Sequence, residues 1–489
     1  MQRFLSVLLG LMLVVVCIPA DAEETVVLTA LWETGGTQMN EKNSVREAIK
    51  EATGIDLLCT SSAEYSTKLS TLIASHDLPD MFGTREDQAI QLRDNGYLMD
   101  MAPYLQQYAP NLWEKLKDSI MMSPLNEDGH VYGLVRAVTG YPSSLCVRSD
   151  YLEALNISIP NTVDEFYAAL EAITNQDPDN DGQKNTYGIA YCMEQMRSFE
   201  YTFGAWGIAI GCPVVLEDGT VTTYMKHPRY LEVINFLRKC YQNGVMDPDF
   251  ATVNTMDWFT KLWEGKVGFF DFQAVGPTNN WYPGRYTQEK TPTFDFAVIE
   301  GPYGDKGCVK QYPNVTNYPI AVSADCKHPE AVAKLLEYLN SDEGQILTNL
   351  GVEGLHFQWV DKENLVFERM PAFKEDAAHR ADGGYLYFEM FSRYLPDNME
   401  IRMLTPMTQK GLQIGAENPV DWAWMPVTLE AQNEYGSTLT DIEKQCLASL
   451  ITTSGNVEDE YKAFVEQWEL EGGLEYETEA TEYYSNMNK

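Results

Sequence analysis

Thr25-Val26-Val27-Leu28-Thr29-Ala30-Leu31-Trp32 is the stretch from which the fold can be read. A short apolar run rich in β-branched residues predicts a strand. Behind it come a helical stretch at 43–53, a second apolar run at 55–60 and another helix at 64–75. A short strand at 80–83 and a helix at 86–96 follow. Strand and helix alternate, so this part of the chain predicts a parallel sheet covered by helices. Asn43 can cap the first helix, Gly54 ends it and Gly96 closes the third. Ligands of open α/β sheets sit beyond the carboxyl ends of the strands, which makes the loops at 33–37 and 61–65 candidates for binding.

Upstream, Met1-Gln2-Arg3 precedes an apolar run from Phe4 to Ile18 and the small-residue sequence Pro19-Ala20-Asp21-Ala22. This is the pattern of a signal peptide cleaved after Ala22, and it predicts an exported protein of the extracellular space or cell envelope. Cys17 offers the competing reading of a lipid anchor, which the bulky Val16 before it disfavours. No later run approaches the roughly 18 apolar residues of a membrane span. With 72 acidic against 35 basic residues and a net charge of -37, the chain is a poor partner for nucleic acid. Eight cysteines follow Ala22, none in Cys-x-x-Cys spacing, and they read as small buried apolar residues.

Downstream, extended runs at 132–136 and 144–148 flank Gly140-Tyr141-Pro142, where the chain is expected to cross into a second lobe. There Asn161 or Thr162 can cap a helix whose core face carries Phe166, Ala169, Leu170 and Ile173. Strands are expected at 294–299 and 318–322, and helices at 329–339 and 458–468. The acidic end beyond Glu475 is expected to fray.

Several stretches carry a resemblance by their order and spacing. They are Ser75-His76-Asp77-Leu78-Pro79-Asp80, Asp128-Gly129-His130-Val131-Tyr132-Gly133 and Arg148-Ser149-Asp150-Tyr151-Leu152. Pro160-Asn161-Thr162-Val163-Asp164-Glu165-Phe166 and Gly265-Lys266-Val267-Gly268-Phe269-Phe270 come next. Pro329-Glu330-Ala331-Val332, Ser341-Asp342-Glu343-Gly344-Gln345 and Gly351-Val352-Glu353-Gly354-Leu355-His356-Phe357 complete the set, with Leu355 and Phe357 departing mildly from the pattern. In these the chain resembles the extracellular solute-binding proteins of ABC importers, family 1, in the branch of LplA-like lipoproteins and alginate-binding proteins. The resemblance implies an α/β, two-lobed periplasmic-binding-protein fold of the type II clamp form. Each lobe would be a mixed sheet flanked by helices, with two or three crossing segments as hinge, open when empty and closed on ligand. The expected lobes are 23–144 with about 299–354, and about 145–298 with about 355–489.

Asp177-Pro178-Asp179-Asn180-Asp181-Gly182-Gln183-Lys184-Asn185-Thr186 places three carboxylates on alternate residues, then Gly at the sixth position. A calcium ion needs several oxygens converging on a tight turn, and this spacing supplies them. The resemblance implies a structural calcium loop here, with Gln183 giving its backbone oxygen and Asn185 and Thr186 standing where similar proteins carry acids. The missing acids imply weaker affinity. An Asp-Asn-Gly sequence also serves as an ordinary solvated turn.

Aromatic residues make up 12% of the chain, and Trp32, Tyr65, Trp206, Trp281, Tyr282, Trp422 and Trp424 sit beside Gly, Asn or Pro or in other loop-like contexts. Sugars lay C–H faces on such rings while polar side chains meet their hydroxyls. Trp206 and Trp281 are the favoured platforms, and Asp80, Asp271 and Arg402 are polar candidates. The bland reading of each ring is packing, and of each charge a surface pair. Trp263 and Trp468 lie on helical patterns and are assigned to the core.

The leading function is capture of an oligosaccharide by a monomer that hands it, unaltered, to the transmembrane subunits of an ABC permease. The net negative charge favours a neutral sugar. The same fold could instead serve a membrane sensor, or take a peptide. A secreted glycoside hydrolase would need two carboxylates across a cleft, and 72 acids always allow such a pair. Gly-x-Ser-x-Gly, His-Glu-x-x-His and Gly-x-x-x-x-Gly-Lys motifs are absent from the sequence, which argues against the common hydrolase and phosphate-binding chemistries.

Overall fold

The computed structural model describes residues 25–487 apart from 34–38, 63, 122, 136, 140, 275–291, 316–317 and 396. The leader at 1–22 with Cys17 and its cleavage site, most of the loop at 33–37, and the candidates Trp281 and Tyr282 lie outside the described residues. The chain divides into two compact units, one running to Ala137 and taking up Val315–Glu400, the other comprising Val138–Asn314 and Ile401–Lys489.

In the first unit the strands lie in the order Ile55–Ser62, Val26–Glu33, Met81–Gly83, Ile320–Val322, Gly133–Leu134. The first three run parallel, as the alternating pattern requires, and Ile320–Val322 joins antiparallel to both of its neighbours. Helix Ser44–Thr53 starts where Asn43 accepts the Arg46 N–H at 2.8 Å, and it stops where Gly54 takes φ 72°. These two local choices set the return into strand Ile55–Ser62. The core joins Leu28, Ala30, Ile49 and Leu57 to Leu335, Leu336, Tyr387 and Phe391.

That core moves the expected boundaries. Residues 355–400 were assigned to the second lobe, yet Leu386, Tyr387, Met390, Phe391, Tyr394 and Leu395 are buried in the first. Burying each such side chain favours folding by about 1.5–3 kcal/mol. In the same way 299–314 belongs to the second unit, because Cys308 and Val309 pair in parallel with Pro419 and Val420. Ser143–Arg148 likewise starts a strand of the second unit, so the first crossover falls at 137 rather than 144.

The sheet of the second unit runs Phe294–Ala297, Ser143–Arg148, Val267–Gln273, Tyr187–Ile189, with only the last pair parallel. Helix Val163–Asn175 begins at Thr162, whose hydroxyl accepts the Glu165 N–H at 3.3 Å, and it buries Phe166, Ala169, Leu170 and Ile173 against that sheet. The acidic end does not fray within the described residues. Leu474–Met487 is a helix in which Glu477 pairs with Lys226 at 2.7 Å and the Thr481 hydroxyl accepts the Val221 N–H at 2.9 Å. Trp263 and Trp468 are core residues, 5% and 1% exposed. Cys146, Cys192, Cys240, Cys308, Cys326 and Cys446 are buried free thiols, and Cys59 and Cys212 are half-buried ones. Among the described residues no helix is long and apolar enough to cross a membrane.

Candidate functional site

In the first unit Trp32 and Gly83 stand at the carboxyl ends of parallel strands, where the topology favours a ligand. The Trp32 ring is used for packing. Trp32 is only 7% exposed and meets Tyr318 edge-on at 5.7 Å and Phe391 at 5.6 Å. A Cβ on Gly83 would come within 2.6 Å of Trp32 and 2.7 Å of Tyr318, so glycine lets the rings close over the strand. Tyr65 is buried too, with its ring 6.2 Å from Tyr318. Asp80 lies at the opposite, amino end of Met81–Gly83. Its carboxylate accepts the Thr29 N–H at 2.8 Å and the Thr29 hydroxyl at 2.7 Å, which fastens one strand to the next.

In the second unit the favoured Trp206 is a core residue, 4% exposed and packed on Phe236 at 5.5 Å. Asp271 is completely buried, and its carboxylate accepts the Tyr201 N–H at 2.6 Å. Burial, with the nearby Glu200 charge, pushes its carboxyl well above the usual range. Neither side chain is open to a solute. Arg402 is exposed at the end of helix Met399–Arg402.

Trp422 belongs to a different arrangement. The ladder between Cys308–Val309 and Pro419–Val420, extended by Lys310 N–H donating to Val420 O at 3.0 Å, sets residues 310–312 against 421–424. Tyr312 stacks on Trp424 with ring centroids 4.9 Å apart and planes 10° from parallel, and meets Trp422 edge-on at 5.6 Å. The Trp422 indole N–H donates to Lys310 O at 2.9 Å. Ala423, between the tryptophans, is fully buried and donates to Pro213 O at 3.0 Å. All three rings keep part of their surface open.

The edge of this group is polar. Asp421 accepts from the Tyr312 hydroxyl at 2.9 Å and pairs with Lys310 at 2.6 Å, while the Lys310 ammonium lies 4.8 Å from the Tyr312 ring centre. Lys310 holds the Asp421 carboxyl below its ordinary value, Asp421 raises Lys310, and partial burial raises the Tyr312 phenol. Half-open rings beside an exposed cation and anion can stack on the C–H faces of a sugar and hydrogen-bond its hydroxyls. Tyr312, Lys310 and Asp421 were not anticipated. The one local signal was the spacing of Trp422 and Trp424 about Ala423, a segment that folds as a three-residue turn in which the Trp424 N–H donates to Trp422 O at 2.8 Å.

The loop after helix Val163–Asn175 gathers its acids. Asp177, Asp179 and Asp181 each offer a carboxylate oxygen within 4.8 Å of the others. Asp177 accepts from the backbone N–H groups of Asp181 (3.2 Å) and Gly182 (3.0 Å), and Asp181 from those of Gln183 (2.7 Å) and the Asn185 amide (3.0 Å). Asp177, Asn180 and Gly182 take φ of 52°, 57° and 78°, the left-handed turns that fold the loop on itself. Burial, a hydrogen bond with Asp177 and the charge of Asp181 raise the Asp179 carboxyl. A cation would reverse the charge repulsion. Asn185 Oδ1 is buried without a protein partner and adds a further oxygen. Thr186 does not join them, because it is buried and its hydroxyl donates inward to Ile173 O at 3.0 Å.

Comparison with known proteins gives a consistent picture. Residues 37–346 match the family model described as bacterial extracellular solute-binding protein. Lipoprotein LipO of Bacillus subtilis is 23% identical over 91% of this chain and 90% of its own. The polygalacturonan/rhamnogalacturonan-binding protein YtcQ of the same organism is 22% identical over 87% of this chain and 85% of its own. Among solved structures, the ABC-transporter substrate-binding protein FusA of Streptococcus pneumoniae, in complex with kestose, superposes with a TM-score of 0.67. It covers 94% of this chain and 99% of its own at 19% identity, which establishes a shared fold.

Proposed function

The chain belongs to the bacterial extracellular solute-binding protein family, and from that premise we propose that it captures a neutral oligosaccharide and delivers it, chemically unchanged, to an ABC permease. The observation that carries the sugar reading is the half-open stack of Tyr312 on Trp424, flanked by Trp422 and edged by Lys310 and Asp421. The stack would take the apolar face of a pyranose or furanose ring, and the charged edge its hydroxyls. The relatives' names point to sugars, with a polygalacturonan/rhamnogalacturonan binder and a structure holding kestose among them; polygalacturonan is acidic and kestose neutral, so the choice of a neutral sugar rests on this chain's own charge. A net charge of -37 favours a neutral sugar over an anionic one. In this reading the leader is cut after Ala22 and the protein works as an exported monomer.

The test is thermal unfolding of the chain from residue 23 against neutral oligosaccharides, monosaccharides and short peptides. A ligand at 100 times its Kd should add about 2.7 kcal/mol, a clear rise in Tm, and the sugar should be recovered intact. Trp424→Ala should abolish the rise. Cleavage of the sugar would place the protein among enzymes, and stabilisation by peptides alone would remove the sugar reading.

We further propose a structural calcium ion at the loop of Asp177, Asp179 and Asp181, whose converging carboxylates support it, with Asn185 Oδ1, the Gln183 backbone oxygen and water as its further ligands. Calcium should raise Tm, and Asp179→Ala combined with Asp181→Ala should remove the rise. An unchanged Tm of the unmutated protein would refute it.

A further inference from the structure

The sheet of the second unit has a carboxyl edge of its own. Tyr187–Ile189 and Val267–Gln273 run parallel and end there, while the antiparallel Ser143–Arg148 begins there, with Ser143 opposite Gln273. Ligands of α/β sheets lie beyond such an edge. Two side chains at it share one acceptor. The backbone oxygen of Tyr141, two residues before Ser143, accepts from Arg197 Nη2 at 2.6 Å, and the Gln273 amide nitrogen stands 3.5 Å from the same atom. Arg197 and Gln273 therefore lie side by side.

Arg197 is fixed on its other flank by Glu200, whose carboxylate accepts the Arg197 Nε–H at 3.0 Å and the Val309 N–H at 3.2 Å. Glu200 is 3% exposed, whereas Arg197 keeps 29% of its side chain in solvent. Burial raises the Glu200 carboxyl, and the Arg197 charge opposes the rise. With Nε and Nη2 engaged, Arg197 Nη1 has no partner among the described residues and is open to solvent, and so is Gln273 Oε1. A donor and an acceptor are thus held next to each other before any ligand arrives.

This pairing selects the occupant. Two adjacent hydroxyls of a sugar can accept from Arg197 Nη1 and donate to Gln273 Oε1. A carboxylate would meet a guanidinium whose charge Glu200 already matches, and would face a second acceptor in Gln273 Oε1. An apolar guest would leave both groups unpaired.

We propose that Arg197 and Gln273 are specificity-determining residues of the sugar site, which hold a neutral vicinal diol at this edge. The proposal rests on the oligosaccharide reading and extends it from the aromatic stack to a second contact on the same sugar. Val309, which Glu200 holds, stands three residues before Tyr312, at most about 11 Å of chain, so one oligosaccharide can span both.

Isothermal titration of the whole chain with 1-kestose, maltotriose and xylotriose, and with trigalacturonate as the anionic counterpart, tests it. The neutral sugar that binds best should bind about tenfold more weakly to Arg197→Lys, which keeps the charge beside Glu200 and loses the fork. Gln273→Met keeps the shape, loses the acceptor and should weaken binding similarly at unchanged Tm. Glu200→Gln unmasks the Arg197 charge and should raise the affinity for trigalacturonate relative to the neutral sugar about tenfold, a change of preference that a merely structural role would not produce. Unchanged affinity in Arg197→Lys or Gln273→Met, or an unchanged preference in Glu200→Gln, overturns the proposal; if Trp424→Ala still abolishes binding, the reading at Tyr312 survives it. Weakened binding in Arg197→Lys and Gln273→Met with full binding by Trp424→Ala would do the reverse, leaving the edge as the sugar contact and removing the stack. Failure of all four sugars to bind overturns both.

Discussion

Two groups of aromatic side chains, one in each unit, are built from the same residue types and arranged in opposite ways. Around Trp32 the rings of Tyr318, Phe391 and Tyr65 close on one another over Gly83, and little of Trp32 reaches solvent. Beside Trp424 the rings of Trp422 and Tyr312 are held from their edges, by indole and phenol hydrogen bonds to Lys310 O and Asp421, and the faces of the group stay partly open. A ring locked through its faces has none left for a ligand. A ring locked through its polar edge is already oriented and can still stack, so less ordering is needed when a sugar arrives.

The largest expected effect separates the two directly. Trp32→Ala leaves a void among Tyr318, Phe391 and Gly83, and should cost about 3–5 kcal/mol of stability. Trp424→Ala removes one partner of a half-open stack, worth about 0.5–1.5 kcal/mol, and should act chiefly on sugar affinity. Thermal unfolding of both variants, with and without the sugar found by screening, measures the contrast. Equal losses of stability would break it.

Acid should move the two units in opposite directions. In the first, burial, aided by the charge of Arg369, lowers the His379 imidazole from 6.5 to about 4, and burial also lowers His356 although Asp382 opposes this. A depressed histidine contributes stability that is complete above its ordinary value and is lost as pH falls through 6.5 towards 4. In the second unit, burial raises Glu443 from 4.5 to about 7, and burial also raises Asp271 and Glu200. A raised carboxyl folds most favourably when protonated, so the second unit gains as pH falls from 7 towards 4.5. Between pH 7 and pH 5, His379 should cost the first unit about 2 kcal/mol and Glu443 should add about 2 kcal/mol to the second. Hydrogen exchange at the two pH values, corrected for intrinsic rates, should show faster opening of Pro329–Leu339 and slower opening of Glu430–Thr452. Parallel changes in both helices would defeat the prediction, and His379→Gln should flatten the response of the first.

What could be read from sequence follows the distance between partners. Asn43 with Arg46, and Gly54 at its own φ, are decided within a few residues, so the helix ends were legible. The parallel pairing of 26–33 with 55–62 followed from one intervening helix. The burial of 386–395 was not legible, because the core it completes is made mostly of residues before 136 and at 320–339. Trp206 looked like a platform because Gly204 and Gly207 flank it, but its burial depends on Phe236, 30 positions away. Tyr312 was overlooked for the same reason, its stacking partner lying 112 positions further on. The acidic end suggested fraying, and only Lys226, 251 positions from Glu477, shows why the helix is held. The convergence of Asp177, Asp179 and Asp181 was legible because a single turn contains it, whereas Thr186 turned inward to a carbonyl that spacing alone does not reveal.

The smallest expected effect asks whether the faces or the edge of the Tyr312 group carry binding. Tyr312→Phe keeps the ring that stacks on Trp424 and removes the hydroxyl that donates to Asp421. The lost hydrogen bond is exposed and Lys310 still pairs with Asp421, so stability should fall by less than about 1 kcal/mol. If stacking carries the ligand and the edge only orients the ring, sugar affinity should drop about two- to fivefold, far less than in Trp424→Ala. Isothermal titration of the two variants with the same sugar compares them on one scale. An affinity loss in Tyr312→Phe as large as that in Trp424→Ala would mean that the Asp421 edge is itself a contact. The open group would then differ from the closed one by a charged edge as much as by its exposed faces.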